Sequence, residues 1–255
     1  MKKVIYICIT ILVVVQVGVA STRGDVKILE ATENIQYLSQ KIATDYLIFY
    51  KNQDNIALKK QLYKNIDNLQ LHIKEIKDIA DDKNGIYTQN FLKYFPYIIE
   101  QIKKLPHKRI NISNIENSIK YSEILLEGAK TIAKEHKYKF SKEEKMLMLS
   151  KEIIYLLKRA NKYYLASDIN PNNPTHYENM KQAIKDINSR LIIMNSYNYP
   201  IKLDNKLNEI NDIWNRDKEF FYQVEELSIP YILSESTEYM EDLLIRMEQY
   251  HKKNL

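Results

Sequence analysis

Residues 28–49 read ILEATENIQYLSQKIATDYLIF, and the spacing of their apolar members decides the fold. Ile28, Ala31, Ile35, Leu38 and Ile42 step by 3, 4, 3 and 4, and the series continues to Phe49. Such spacing lines one face of a helix, so a helix is expected over about residues 26–51. The period returns through Ile56, Leu62, Ile66, Leu69, Ile73 and Ile76, giving a second helix capped by Asp54 and stopped at Asn84-Gly85.

Further along, a third helix covers about 89–104, with Pro96 either kinking it or marking its start and Pro106 closing it. Ser113–Glu116, Ser141–Glu144 and Thr175–Glu178 each have the form in which a hydroxyl caps a backbone N–H and a glutamate reaches back. They open a fourth helix and helices near 142–167 and 176–195. The segment DINPNNP at 168–174 and Asn198–Pro200 break the chain, and Ile229-Pro230 separates a helix over 204–227 from one running to about 252. The fold class is all-α.

Composition narrows the chemistry. With 4 Gly, no phosphate-cradling glycine loop can be written, and 1 Cys excludes cysteine-based zinc sites and a disulfide framework. The net charge of +5 is carried by interspersed charges, which gives no footprint for nucleic acid or for a polybasic membrane segment. Lys2 and Lys3 precede the apolar run Val4–Val15, and Gly18-Val19-Ala20 supplies small residues at a cleavage position. Residues 1–20 therefore read as a signal peptide cleaved before Ser21, with an uncleaved anchor over 4–20 as the alternative. The mature chain is expected to be periplasmic and soluble, with no membrane span.

Four helices followed by four helices suggest a tandem repeat, residues 21–140 and 141–255. Leu38-Ser39-Gln40-Lys41-Ile42 matches Leu149-Ser150-Lys151-Glu152-Ile153 at an offset of 111. Lys60–Ile66 matches Lys181–Ile187 at 121, and Ile115, Ile119, Ser122 and Leu126 match Ile229, Leu233, Ser236 and Met240 at 114. The third helices do not align. Short connections favour antiparallel four-helix-bundle-like units.

The segment Asn34–Ala43, NIQYLSQKIA, resembles the R-Q-R-M-L-S-Q-R-I-A signature of the type IV pili methyl-accepting chemotaxis transducer N-terminal family, the PilJ-like sensor domains. Lys145–Ile153 looks like a second copy, and Ile213-Trp214 followed by Phe220 is similar to a later I-W-x-x-F element. The resemblance implies a helical extracytoplasmic sensor module, related in pattern to nitrate and nitrite sensor kinases, that works with a membrane chemoreceptor or sensor kinase. This sequence departs from the pattern at the anion-contacting arginine: Gln36 stands there, and Leu147 in the second copy. A guanidinium fork is missing, so nitrate sensing is not inherited.

Thr32, Gln36, Ser39 and Ala43 form a stripe of small or polar residues beside the core stripe. A ligand pocket between the two first helices would draw on Gln36, Tyr37, Ser39, Gln40, Lys41, Ser150 and Lys151. The competing reading is that Ser39 and Ser150 are small residues that let helices approach, each hydroxyl bonded to its own preceding carbonyl. Glu248 and His251 share a helix face, but a di-iron bundle needs two such pairs, and the five histidines read as solvated or half-buried. The clustered tyrosines read as helix-interface residues, with a ring-lined pocket as the other possibility. No cofactor, metal or catalytic constellation is expected. Two functions fit: an exported sensor module binding a small molecule between helices, or an envelope interaction protein with no small ligand.

Overall fold

A computed structural model of the chain describes residues 23–80, 85–108, 111–136 and 138–255, so the expected signal peptide lies outside the described residues. The described residues form eight α-helices and no strand. In chain order they are α1 (Arg23–Lys51), α2 (Ile56–Ile79), α3 (Ile86–Lys104), α4 (Ile112–Glu135), α5 (Lys142–Ile169), α6 (Pro174–Asn195), α7 (Ile201–Tyr222) and α8 (Pro230–Lys253), with a short 3₁₀ turn at Leu105–His107. No helix among the described residues is long and apolar enough to cross a membrane.

The apolar stripes are where their spacing placed them. Ile28, Ala31, Ile35, Leu38, Ile42 and Phe49 are buried, as are Leu62, Ile66, Leu69, Ile73 and Ile76, whereas Ile56, at the first position of α2, is 70% exposed. Helix starts differ from expectation in three places. Asn55, not Asp54, caps α2, accepting from the amides of Ala57 and Leu58. Asn111 displaces Ser113 at α4, and Asn173 displaces Thr175 at α6, where Pro174 takes the first helical position. At α4 and α6 an asparagine two residues upstream offers its side-chain carbonyl as acceptor, so the helix begins sooner, whereas at α2 the cap falls one residue later, on Asn55. The Ser141–Glu144 box forms in both directions at α5.

Two further boundaries moved. Pro96 lies inside α3 instead of starting it, on the exposed side of the helix. Helix α7 spans 201–222 instead of 204–227, ending in turns before Ile229-Pro230.

Helices α1 and α5 organise the packing. α1 lies against α2 and α4, α5 lies against α6 and α8, and the two central helices lie against each other. They run parallel: Lys151 faces Glu33, the Thr44 hydroxyl donates to the Lys158 carbonyl at 3.3 Å, and Lys51 pairs with Asp168. The buried apolar residues of both halves form one continuous core. Gly128 lets α3 sit close to α4, because a Cβ there would lie 2.6 Å from the Phe95 ring and 2.8 Å from Phe91.

Candidate ligand cleft between the central helices

Beside the α1–α5 seam lies a cleft of about 450 Å³, within the range that holds small molecules. Each wall contributes residues three or four apart on one helix face: Glu33 and Gln36 from α1, Lys130 and Lys134 from α4, Lys151 and Tyr155 from α5, and Asp186 and Arg190 from α6. Ala133, Met148 and Glu152 complete it.

Charges in the cleft are unequally committed. Arg190 Nε meets Glu152 Oε2 at 2.7 Å, and Asp186 accepts from Gln182 at 2.8 Å. Lys130 is 3.2 Å from Glu127, outside the cleft, with its ammonium 5.7 Å from the centre of the Tyr155 ring. Lys134 is exposed and forms no ion pair among the described residues. Lys151 stands 3.7 Å from both Glu33 and Glu248, too far to hydrogen-bond either. Glu33 Oε2 is buried without a hydrogen-bond partner. Burial pushes the Glu33 carboxyl up to about 8, Lys151 opposing and Glu248, Glu152 and Glu30 adding to the rise. At neutral pH Glu33 therefore holds its proton and can donate.

A second cleft of about 170 Å³ lies on the other side of the Glu33–Lys151 pair, lined by both of them with Asn34, Tyr37, Ile154, Glu241, Ile245 and Glu248. The Tyr37 phenol hydrogen-bonds Glu241, and burial together with that carboxylate raises its pKa.

The residues expected to form one pocket are thus distributed. Gln36 and Lys151 line the large cleft, and Tyr37 joins Lys151 in the small one. Ser39 borders a void of only about 10 Å³ with Ser118 and Ser122, room for one water at most. Its hydroxyl donates to the Gln36 carbonyl at 2.7 Å, and that of Ser150 to the Met146 carbonyl at 3.0 Å. Lys41 pairs with Asp45 at 3.3 Å on the side of α2, where Asn65 also bonds Asp45.

Gln40 is fully buried in a polar knot. Its amide nitrogen donates to Ser39 Oγ at 3.1 Å, and its carbonyl oxygen accepts from Lys162 at 2.7 Å. Sequence reasoning missed Glu33, Lys130, Lys134, Asp186 and Arg190. Each forms an i,i+3 or i,i+4 set with a partner on its own helix, but spacing does not reveal which sets face each other.

The histidines also depart from expectation. His136, His176 and His251 are buried, and each pairs with a carboxylate: Asp25 at 2.9 Å, Glu116 at 2.9 Å and Glu143 at 2.6 Å. Burial of an imidazole is tolerable here because an acidic partner from another helix satisfies its ring nitrogen. Glu248 and His251 share a helix face yet have separate partners, and no cluster among the described residues could hold a metal ion.

The fold and cleft define an all-helical protein with a polar interhelical site. The chain matches no family model, no curated protein and no solved structure.

Proposed function

We propose that this chain is an exported, non-catalytic sensor-type module that binds a small organic anion in the large cleft and relays occupancy to a membrane chemoreceptor or sensor kinase. The observation that carries the reading is the cleft on the α1–α5 seam, where Lys130, Lys134, Lys151 and Arg190 outnumber the carboxylates of Glu152 and Asp186, and where Glu33 Oε2 is buried without a partner and burial raises its pKa. An anion entering there gains cationic partners and a carboxyl donor in a partly dry setting. Lys151 offers the relay: an anion competes with Glu248 for it and so loosens a tie between α5 and α8.

The parallel α1 and α5, and the like neighbours of each, support the reading of a duplicated four-helix unit in which the chain builds internally what two subunits would build together. The PilJ-like resemblance of Asn34–Ala43, and export through residues 1–20, belong to the same reading.

Thermal-shift measurements against small carboxylates, inorganic oxyanions and neutral analogues test it. Ligand at about 100 times its Kd stabilises by roughly 2.7 kcal/mol. Lys134→Ala and Lys130→Ala should weaken the response to anions; a flat panel, or responses indifferent to these changes, removes the cleft from consideration.

One observation favours the second reading, an envelope interaction protein without a small ligand. On the outer face of α3, Tyr94 and Tyr97 are 44% and 53% exposed, with rings stacked 5.8 Å apart. A flat panel combined with loss of partner capture on Tyr94→Ser/Tyr97→Ser would select it.

A further inference from the structure

Because α1 and α5 run parallel, their first turns lie at the same end of the molecule, and the last turns of α4 and α8 reach them there. His136, just past α4, pairs through Nδ1 with Asp25 of α1, and His251 of α8 pairs through Nδ1 with Glu143 of α5. The neighbouring carboxylates are also turned to internal donors. Glu135 accepts from the Thr88 amide at 2.8 Å and from its hydroxyl at 2.7 Å; Glu144 accepts from the Tyr138 hydroxyl at 2.7 Å and the Ser141 amide at 2.6 Å.

The lysines of this end are not so used. Lys134, Lys139, Lys142, Lys145, Lys252 and Lys253 are all exposed, and none forms an ion pair among the described residues. Lys142 rests over the Tyr197 ring at 4.4 Å. Large apolar side chains stand beside them: Ile86 and Tyr87 at the start of α3 are 70% and 56% exposed, and Ile201 at the start of α7 is 82% exposed. Against them stand the exposed carboxylates of Glu30, Glu75, Asp78 and Asp204, of which Glu75 is held by His72 at 2.8 Å and Asp78 by Lys74 at 2.5 Å.

The opposite end also exposes apolar residues, Ile56, Tyr231 and Ile232, but there the exposed lysines Lys60, Lys64 and Lys108 are matched by the exposed carboxylates of Asp54, Glu225 and Glu226. Charge therefore distinguishes the two ends.

We propose that this end docks on an anionic lipid surface, its lysines meeting headgroup phosphates while Ile86, Tyr87 and Ile201 enter the interfacial layer. Lysine stems lie along apolar surface while their ammonium groups stay among headgroups, and a basic cluster brought near anionic lipid is attracted to it. The docking shares only Lys134 with the cleft and sets α1 and α5 end-on to the bilayer.

Flotation of the full chain with vesicles of phosphatidylcholine, or of phosphatidylcholine with about 30% phosphatidylglycerol, tests the assignment. The readout is the ratio of the two partition constants, since the apolar run at residues 4–15 contributes to both. Each lysine near an anionic surface is worth about fivefold, so Lys142→Gln/Lys252→Gln/Lys253→Gln should lower the ratio by about 100-fold. The control Lys60→Gln/Lys64→Gln/Lys108→Gln, at the opposite end, should leave it unchanged. All six positions are exposed, and far-UV circular dichroism confirms retained helicity. Equal partition into the two vesicle types, or equal loss from both triple variants, overturns the proposal.

Discussion

Gln40 of α1 and Lys162 of α5 meet at 2.7 Å, deep in the seam between the two central helices. The same ammonium donates to Ser122 Oγ at 3.0 Å and to Glu123 Oε1 at 2.5 Å, both on α4, and lies 4.2 Å from the centre of the Tyr163 ring. Arg159 adds a second cation to Glu123 at 2.9 Å. Three helices are thus fixed in register by one polar knot. Burial lowers Lys162 to about 8 despite Glu123 beside it. Glu123, which burial alone would raise, is held at about 2 by Lys162 and Arg159.

That inequality makes the two partners unequal to mutation. Glu123→Gln leaves two buried cations facing each other and should cost about 3–5 kcal/mol at pH 7. Lys162→Met keeps Glu123 paired with Arg159 and removes a desolvated charge, so its cost should be smaller by at least about 1 kcal/mol. Urea unfolding at pH 7 measures both; equal losses would contradict the asymmetry.

Glu33 gives the fold an opposite pH signature. Its folded pKa of about 8 lies above the ordinary 4.5, so between those values the folded chain keeps a proton that the unfolded chain has released. Its contribution to stability is therefore full below about pH 4.5 and is lost as pH rises through 8. Glu33→Gln should match the parent near pH 5 and exceed it by a few kcal/mol at pH 9, read as a difference in urea midpoints. Parallel stability profiles for the two proteins would show that Glu33 is ionised at neutral pH.

Acid should weaken the knot instead. Glu123 contributes stability that is complete above 4.5 and disappears as pH falls toward about 2. Glu123→Gln should accordingly flatten the acid limb of the stability profile over that window, which thermal unfolding from pH 2 to 6 would record.

Gly128→Ala tests the α3–α4 approach. Alanine favours the helix by about 1 kcal/mol over glycine. Here, however, the new methyl meets the buried Phe95 ring at 2.6 Å, and overpacking of this kind costs about 1–3 kcal/mol. Net destabilisation is expected; a rise in Tm would show that Phe95 can turn aside.

Ser39→Leu separates packing from binding. The void beside Ser39 is about 10 Å³, so the larger side chain should destabilise by about 1–3 kcal/mol. Anion responses mediated by the large cleft should survive in the folded fraction. Selective loss of binding with unchanged stability would return Ser39 to the site.

How far the sequence could be read is plain from particular residues. The stripe from Ile28 to Phe49 announced both a helix and its buried face, because helical period and burial are local consequences of side-chain order. The Ser141 box was legible for the same reason, while Asn111 and Asn173 took over as caps because an acceptor two residues upstream captures the first free amides, and Asn55 replaced its neighbour Asp54 one residue downstream. Gln36 and Lys151 were named and do line the large cleft; Ser39 and Ser150 were named and bond their own helices.

The order of side chains by itself determined that the chain is helical, where most turns fall and which faces are dry, since these depend on neighbours within a few residues. Only the tertiary structure decided that Glu33 faces Lys151, that Lys162 enters a knot with Gln40 and Glu123, and that lysines scattered over residues 134–253 gather at one end. Those outcomes depend on how rods of given faces are set beside one another, and partners separated by up to 122 positions leave no local pattern from which that placement can be read.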